Sequence, residues 1–267
     1  MKNNLKKFSE IIKIGIKTTL QYRVEMYLWL IIDIIPMLSM VVLWLAVYSK
    51  GQVISGYNLD QMISYYIIGY FVNSIISVHI EEYWVEQIRQ GNISFILLKP
   101  FPFKIFAVLE EVSWKFIYAI LVIFPTVFIA TQIVDIFYFP NFTQIMLLLT
   151  SLLIGFAIDA IFSFFVIAGG FIFNQAHSLS HLKWMLTWIL SGAMIPYELM
   201  PTWLSKLSKV LPFQHVFNTP LRLYLNPGPL SHYLPTLIQS ILWVLGLLLV
   251  LEIFWKYAIK NYSAVGN

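Results

Sequence analysis

Apolar residues occur along this chain in runs of about twenty, separated by shorter stretches that hold most of the charged residues. A helix of about twenty residues is needed to cross a ~30 Å hydrocarbon core, so these runs predict membrane spans. The pattern predicts an all-α, polytopic membrane protein with six transmembrane helices. The predicted spans are Val24–Tyr48, Met62–Ile80, Ile105–Thr131, Ile145–Phe173, Trp184–Met200 and Leu234–Trp255.

Residues 1–22, ahead of the first span, predict an amphipathic helix at the membrane interface. One face carries apolar residues at helical spacing and the opposite face carries mainly lysines. Such a helix anchors orientation by lying near anionic headgroups, or it also serves as a lever that touches a cytosolic partner. The apolar positions are Leu5, Phe8, Ile12 and Ile16, and the polar ones are Lys6, Glu10, Lys13 and Lys17.

Residues 84–104, between the second and third spans, contain the apolar stretch RQGNISFILLKPFPF, which is too short to cross a membrane. Gly91 is expected to end the preceding helix in a left-handed conformation. Asn92 or Ser94 is expected to cap a short new helix, which Pro100 and Pro102 end. Its apolar side chains either sink into the membrane interface or fill a groove on another protein.

Residues 200–232 predict a broken re-entrant hairpin on the outer side. Gly192 and Pro196 weaken the fifth span, and Pro201 opens a short helix that Pro212 stops. The next apolar piece, residues 213–225, is expected to be interrupted by Pro220. Neither piece is long enough to span, so the protein itself must satisfy their freed backbone groups.

Composition leaves no room for a separate soluble domain, and residues 1–267 are predicted to form a single transmembrane domain. The chain is 59% hydrophobic and 11% charged, with a mean hydropathy of +0.77. Twelve of its 17 lysines and arginines, Lys183 among them, fall on the side that holds both termini, and four fall on the other side. This asymmetry predicts cytoplasmic termini and explains the net charge of +4 without a nucleic-acid partner. The absence of cysteine excludes disulfides and thiol chemistry.

Ionisable residues inside predicted spans are the candidate functional groups. Asp33 and Asp159 are expensive at membrane depth, about 2.5–3.5 kcal/mol each at the bilayer centre. They belong either to a translocation path or to helix packing with a partner such as Ser39 or Asn73. Glu110, Glu111 and Lys115, near the start of the third span, either pair at i,i+4 or i,i+5 spacing or lie separately at the membrane interface. The four-residue spacing of His177 and His181 suits a metal in principle, but solvated loop histidines and no metal site are expected.

The proline pattern and the connecting segment together resemble the ABC-2 permeases, the membrane subunits of type-two ABC exporters. The matching residues are Gly192, Pro196, Pro201-Thr202-Trp203-Leu204 and Leu211-Pro212-Phe213 before the last span, together with QGNISFILLKPFPF. The latter is similar to a cytosolic segment of the small stand-alone permeases that are encoded beside a separate ATPase.

The resemblance implies a permease in the plasma membrane that exports a substrate by alternating access. It implies two ABC ATPase subunits that carry ATP and Mg²⁺, a second permease, identical or paralogous, and contact with membrane lipid. No cofactor is expected in this chain, because no G-x-x-x-x-G-K-[ST] phosphate loop occurs in it. Residues 86–98 would be a coupling helix that docks on the ATPase. The implied coupling residues are Glu86, Arg89, Gly91, Asn92, Ile93, Phe95, Leu97, Leu98 and Pro100, and the implied outer gate is Pro196, Pro201, Trp203, Pro212 and Phe213.

Two other classes of function remain open. In a proton-coupled secondary transporter, Asp33 and Asp159 would be the proton-linked pair. An intramembrane lipid-modifying enzyme would need catalytic groups clustered at the cytosolic interface. The candidates for that role are Glu81, Glu82, His177 and His181.

Overall fold

The computed structural model describes residues 2–21, 23–50, 53–98, 101–133, 140–173, 176–226 and 228–260, and within them it contains helices and no strand. The first half holds α1 (Lys2–Gln21), α2 (Arg23–Val47), α3 (Leu59–Ile76), α4 (Ile80–Arg89), α5 (Ile93–Leu97), α6 (Phe103–Tyr118) and α7 (Phe124–Ile133). The second half holds α8 (Phe142–Gly170), α9 (His177–Leu190), α10 (Thr202–Val210), α11 (Asn218–Leu225) and α12 (Leu230–Lys260).

Among the described residues, five helical stretches are long and apolar enough to cross a membrane, and they coincide with five of the predicted spans. α6 and α7 form one such stretch through a π-helical turn at Ala119–Ile123. Pro125 follows this turn and has no N–H to donate, so the helix widens just ahead of it. The five stretches are Val24–Val47, Leu59–Arg89, Phe103–Gln132, Phe142–Gly170 and Leu230–Lys260.

The boundaries predicted for the fifth span are wrong. The helix at this place is α9, which begins earlier, at His177, and ends at Leu190 rather than at Met200. Gly192 takes a left-handed conformation with φ +91°, and its carbonyl accepts a hydrogen bond of 2.7 Å from the Tyr65 hydroxyl. Since 14 residues of helix extend only about 21 Å, α9 alone is short for a crossing, and six transmembrane helices are not confirmed.

Two hydrophobic cores meet along α8. The α3 core includes Tyr65, Ile76, Ile158, Phe217 and Leu221, and the α4 core includes Val78, Trp84, Ile93, Ala160 and Trp255. The boundary falls in α3–α4 at the non-helical residues Ser77–His79, and in α8 at Asp159, which separates Ile158 from Ala160.

The predicted N-terminal helix is present as α1, which packs along α6. A side chain on Gly15 would meet Ser113 Cβ at 2.7 Å, so the two helices touch at this point. The Phe8 ring lies 5.6 Å from that of Phe101, next to the start of α6. Glu10 and Lys13 form an exposed ion pair of 2.8 Å on the opposite side. The amphipathic pattern is thereby explained, while a position in the membrane interface stays a prediction.

The 200–232 segment is broken as predicted at Pro201 and Pro212, but Pro220 does not interrupt it. Pro201 directly precedes α10, and Pro212 begins a 3₁₀ turn, Pro212–His215. Pro220 lies in the first turn of α11, where backbone N–H groups have no partner within the helix and a proline is therefore tolerated. Phe217 packs against Gly69 of α3, so this part of the segment is enclosed by the other helices.

The coupling segment and the buried charge cluster

The turn between α4 and α5 is formed by Gly91, which has φ +77° and ends α4 as predicted. Asn92 precedes α5, but its side chain makes no capping hydrogen bond there. Instead the Asn92 amide donates to the side chains of Gln87 and Gln90, at 3.2 and 3.0 Å. The cap predicted at Asn92 is therefore wrong in its chemistry, and Ser94, the other candidate, lies inside α5, although the helix begins where expected. Pro100 lies outside the described residues.

α5 has one buried side and one exposed side. Ile93 is fully buried in the α4 core beside Trp84 and Ile88, and Leu97 packs partly against it. Phe95 and Leu98 point away, with 74% and 84% of their surface exposed. Burial of Ile93 within the chain itself is neither of the two expected environments, and contact of Phe95 and Leu98 with lipid or with a partner stays a prediction.

Glu86 links the end of α4 to α9. Its carboxylate accepts hydrogen bonds from Arg89 at 2.7 and 2.8 Å and from the Gln90 amide at 2.6 Å, which closes the last turn of the helix. The other contact is with His177 Nε2, at 3.2 Å, at the beginning of α9. Glu86 therefore serves a structural contact within the chain, whereas the side chain of Arg89 is 64% exposed.

Four side chains, Glu81, Asp159, Ser163 and Lys183, form a buried charge cluster. The cluster stabilises the non-helical residues Ser77–His79 between α3 and α4. The Val78 N–H donates to Asp159 Oδ2 at 2.7 Å, and the Val78 carbonyl accepts from Lys183. Lys183 also donates to Glu81 Oε1 at 3.0 Å and to the Ser163 hydroxyl at 2.8 Å, and it lies 3.4 Å from Asp159 Oδ2. Side chains from α8 and α9 thus satisfy both backbone groups of Val78, which no longer belong to a helix.

A second buried ion pair lies on α6, close to the first. Glu111 and Lys115 approach to 3.6 Å with only 11% and 13% of their side chains exposed, so the i,i+4 pairing is present, while a position at the membrane interface stays a prediction. Lys115 also donates to the Ser74 carbonyl in the last turn of α3, at 3.2 Å. The lysines of both ion pairs therefore donate to backbone carbonyls at and just after the C-terminal end of α3, Lys115 to Ser74 and Lys183 to Val78.

Asp159 faces protein, and neither Ser39 nor Asn73 is its partner. The Ser39 hydroxyl bonds its own helix at the Ile35 carbonyl, and Asn73 is exposed. The side chain of Asp33 lies outside the described residues, so its expected role stays a prediction.

Sequence reasoning missed the two residues that complete this cluster. From the sequence, Lys183 is counted with the basic residues on the side of the termini and Glu81 is considered at the cytosolic interface, yet both side chains are buried. A signal for Lys183 exists in α9, where it falls at helical spacing on a stripe of small and apolar residues that all face the protein. The other members of that stripe are Ala176, Ser180, Thr187 and Leu190.

The predicted gate residues are divided between two environments. Pro196 and Pro212 are buried, and the Phe213 ring lies 4.9 Å from that of Phe162 in α8. Pro201 is exposed, and Trp203 has 67% of its surface exposed. The structure therefore brings Pro212 and Phe213 to α8 and leaves Trp203 apart from them.

The residues considered for intramembrane catalysis have separate partners. Glu81 bonds Lys183, Glu82 lies 3.9 Å from His79, and His177 pairs with Glu86. Within the described ranges, no group of three or more histidine, aspartate or glutamate side chains is placed to hold a metal.

A family model for ABC-2 family transporter proteins matches residues 34–266, which is most of the chain. The chain belongs to the ABC-2 transporter family. It is thus a membrane transport subunit rather than an enzyme, and membership of this family implies association with an ABC ATPase. No curated protein and no solved structure is significantly similar to the chain.

Proposed function

We propose that this ABC-2 permease forms an ATP-driven exporter and that the exposed side of α5 docks on the ATPase subunit. The proposal rests on the exposure of Phe95 in α5 and of Leu98 at its end. The other side of α5 is buried in the α4 core. Arg89, Gln90 and Asn92, just ahead of α5, are exposed and polar. Apolar anchors with polar neighbours are typical of a protein interface, whereas burial of the same segment in lipid would desolvate those neighbours.

Movement of α5 would be transmitted to the spans through α4. Ile93 joins α5 to Trp84 and Ile88, and the α4 core continues into α8 and α12 through Ala160 and Trp255. A displacement imposed on α5 by closure of the ATPase subunits would therefore move α4 with it. Alternating access follows if nucleotide binding favours one of two arrangements and nucleotide release favours the other.

The complete exporter would contain two ATPase subunits that carry ATP and Mg²⁺, and a second permease, identical or paralogous. The chain would cross the plasma membrane six times with cytoplasmic termini, α9 forming the short crossing. α1 would lie at the cytosolic membrane interface beside the coupling segment, which its Phe8–Phe101 contact favours. Pro212 and Phe213 would form the outer gate against α8.

Copurification tests the docking surface. The double variant Phe95→Ser, Leu98→Ser of the tagged chain is expected to lose an ATPase subunit that copurifies with the wild type in mild detergent. Val53→Ser is the matched control, because Val53 is 67% exposed at the other end of α3 and should retain the ATPase. If the double variant still copurifies the ATPase subunit, the ATPase docks elsewhere on the chain. Absence of any ATPase from the wild-type complex would contradict the exporter itself.

A further inference from the structure

α10 buries a serine and exposes its apolar residues, which is the reverse of a helix on the surface of a soluble protein. Ser208 is fully buried, whereas Trp203, Leu207 and Val210 have 67%, 45% and 63% of their surface exposed. These three residues follow one another at i, i+4 and i+7, so they form one apolar stripe along the helix. An exposed apolar stripe of this kind indicates a side that meets lipid or another protein.

A polar stripe lies directly beside the apolar stripe on α10. Thr202, Lys206 and Lys209 repeat the same i, i+4, i+7 spacing one residue earlier, and all three are exposed. α10 contains no acidic residue. Within the ranges that the structure describes, neither lysine has an ion-pair partner. The polar stripe is therefore a positive surface that an anionic group would complement.

The C-terminal end of α10 is fixed to α12. The Gln239 amide donates to the carbonyls of Lys209 and Val210, at 3.3 and 3.4 Å. The Trp243 indole N–H donates to the same Val210 carbonyl at 3.1 Å. Gln239 follows the first residue of α12 by nine positions, a distance of about 14 Å along the helix.

This attachment places α10 close to a membrane surface. When the 31 residues of α12, about 46 Å of helix, are centred in a ~30 Å hydrocarbon core, Gln239 lies about 6 Å inside the core. The long apolar stem of a lysine covers such a depth, so its ammonium reaches the headgroups. Tryptophan is also enriched at this level of the membrane, which suits Trp203.

We propose that α10 binds anionic phospholipids, with the apolar stripe among the acyl chains and the ammonium groups of Lys206 and Lys209 on the lipid phosphates. A phospholipid supplies an acyl chain and a phosphate side by side, as the two adjacent stripes require. A lysine close to an anionic membrane surface favours it about fivefold. The inference goes beyond export and ATPase docking, and it holds for either orientation of the chain in the membrane.

Fluorescence quenching in nanodiscs of phosphatidylcholine and phosphatidylglycerol locates the two stripes. The chain has no native cysteine, so Leu207→Cys and Thr202→Cys can each carry a single bimane label. Phosphatidylcholine with a nitroxide on its acyl chain should quench the Leu207→Cys label more strongly than the Thr202→Cys label. Iodide in the water should quench them in the reverse order. Equal quenching of the two labels by both agents would contradict the proposal.

Headgroup recognition is measured with the Leu207→Cys label in nanodiscs made mainly of phosphatidylcholine. Nitroxide-labelled phosphatidylglycerol should quench this label more than nitroxide-labelled phosphatidylcholine at the same mole fraction, because the lysines enrich the anionic lipid, by about fivefold for each lysine. Lys206→Gln combined with Lys209→Gln should make the two lipids quench equally. Lys206→Arg combined with Lys209→Arg is the matched control and should keep the preference, because both positive charges remain.

Three results would overturn the proposal. One is equal quenching of the wild-type lysine pair by the two lipids, and another is a preference that survives the double glutamine change. The third is efficient cross-linking of two Leu207→Cys chains by a short bismaleimide, which would make a second copy the occupant of the apolar stripe. Loss of ATPase docking changes none of these readouts.

Discussion

At the scale of single residues, glycines mark where the helices touch most closely. A side chain on Gly155 of α8 would meet the His215 backbone carbonyl at 2.8 Å, whereas the same change at Gly246 of α12 meets nothing within 4 Å. A backbone carbonyl cannot turn aside as a flexible side chain does. Gly155 is therefore the position at which the 3₁₀ turn, Pro212–His215, sits directly against α8.

We expect Gly155→Ala to destabilise the protein relative to Gly246→Ala by about 1–3 kcal/mol, the usual cost of overpacking. Both substitutions raise helix propensity by about the same amount. The difference in unfolding free energy between the two variants therefore reports the contact alone. Thermal unfolding followed by circular dichroism in detergent measures it. Equal stability of the two variants would mean that the turn does not press on α8.

Glu198 and Arg222 form a partly exposed ion pair at the start of α3, and Tyr57 donates to the same carboxylate at 3.1 Å. Burial raises the pKa of Glu198, but the hydrogen bond and charge of Arg222 outweigh burial and leave the pKa below its ordinary value. The stability contributed by the pair is therefore complete above the ordinary glutamate pKa and is lost as pH falls towards the lower folded value.

The expected loss on acidification is about 1 kcal/mol or less, since about a third of each side chain is exposed to solvent. Unfolding of the wild type and Glu198→Gln across pH 3 to 7 measures it. The variant should lose less stability than the wild type as pH falls through the acid range. Parallel pH profiles would show that this ion pair does not contribute.

At the scale of helices, the sequence predicts best what depends on local chemistry. The apolar runs place α2, α8 and α12 within a few residues, and Gly91 and Pro212 set boundaries where expected. Each of these features depends on the length of a run or on the backbone preference of one residue.

Features that need a partner elsewhere in the chain could not be predicted in the same way. The break at Ser77–His79 contains no proline or glycine, and it persists because Asp159, Ser163 and Lys183 bond the Val78 backbone. Lys183 in turn looks like a loop residue until α9 is seen to begin at His177. Long-range polar contacts of this kind leave little local pattern in a sequence.

The α4–α5 turn supplies a prediction at this scale, because Gly91 has a left-handed backbone. Gly91→Ala should lower retention of the ATPase subunit on the tagged chain, since alanine resists this conformation by about 1–2 kcal/mol and shifts α5. Gly91→Asn is the matched control, because asparagine tolerates left-handed backbone far better than alanine does. If alanine and asparagine retain the ATPase equally, the orientation of α5 does not govern docking.

At the scale of the whole molecule, α9 decides the topology. Its first residue, His177, contacts Glu86 at the end of α4, while the Gly192 carbonyl just beyond α9 contacts Tyr65 near the start of α3. α9 and the turn after it therefore lie alongside the part of the chain between Tyr65 of α3 and Glu86 of α4. Burial of Lys183 changes the count of basic residues from twelve against four to eleven against four, which still favours cytoplasmic termini.

The native sequence has no cysteine, so single cysteines can report the topology without background. His181→Cys and Asn92→Cys, both at exposed positions, should react with a membrane-impermeant maleimide only after the cells are opened. Lys206→Cys and Val53→Cys, also exposed, should react in intact cells. The pair His181 and Lys206 carries the decision, because His181 lies in the first half of α9 and Lys206 lies beyond its end, in α10. Labelling of both from the same side would mean that α9 does not cross, leaving five spans and termini on opposite sides. Labelling of Asn92→Cys in intact cells would instead invert the whole topology and remove α5 from the reach of a cytosolic ATPase.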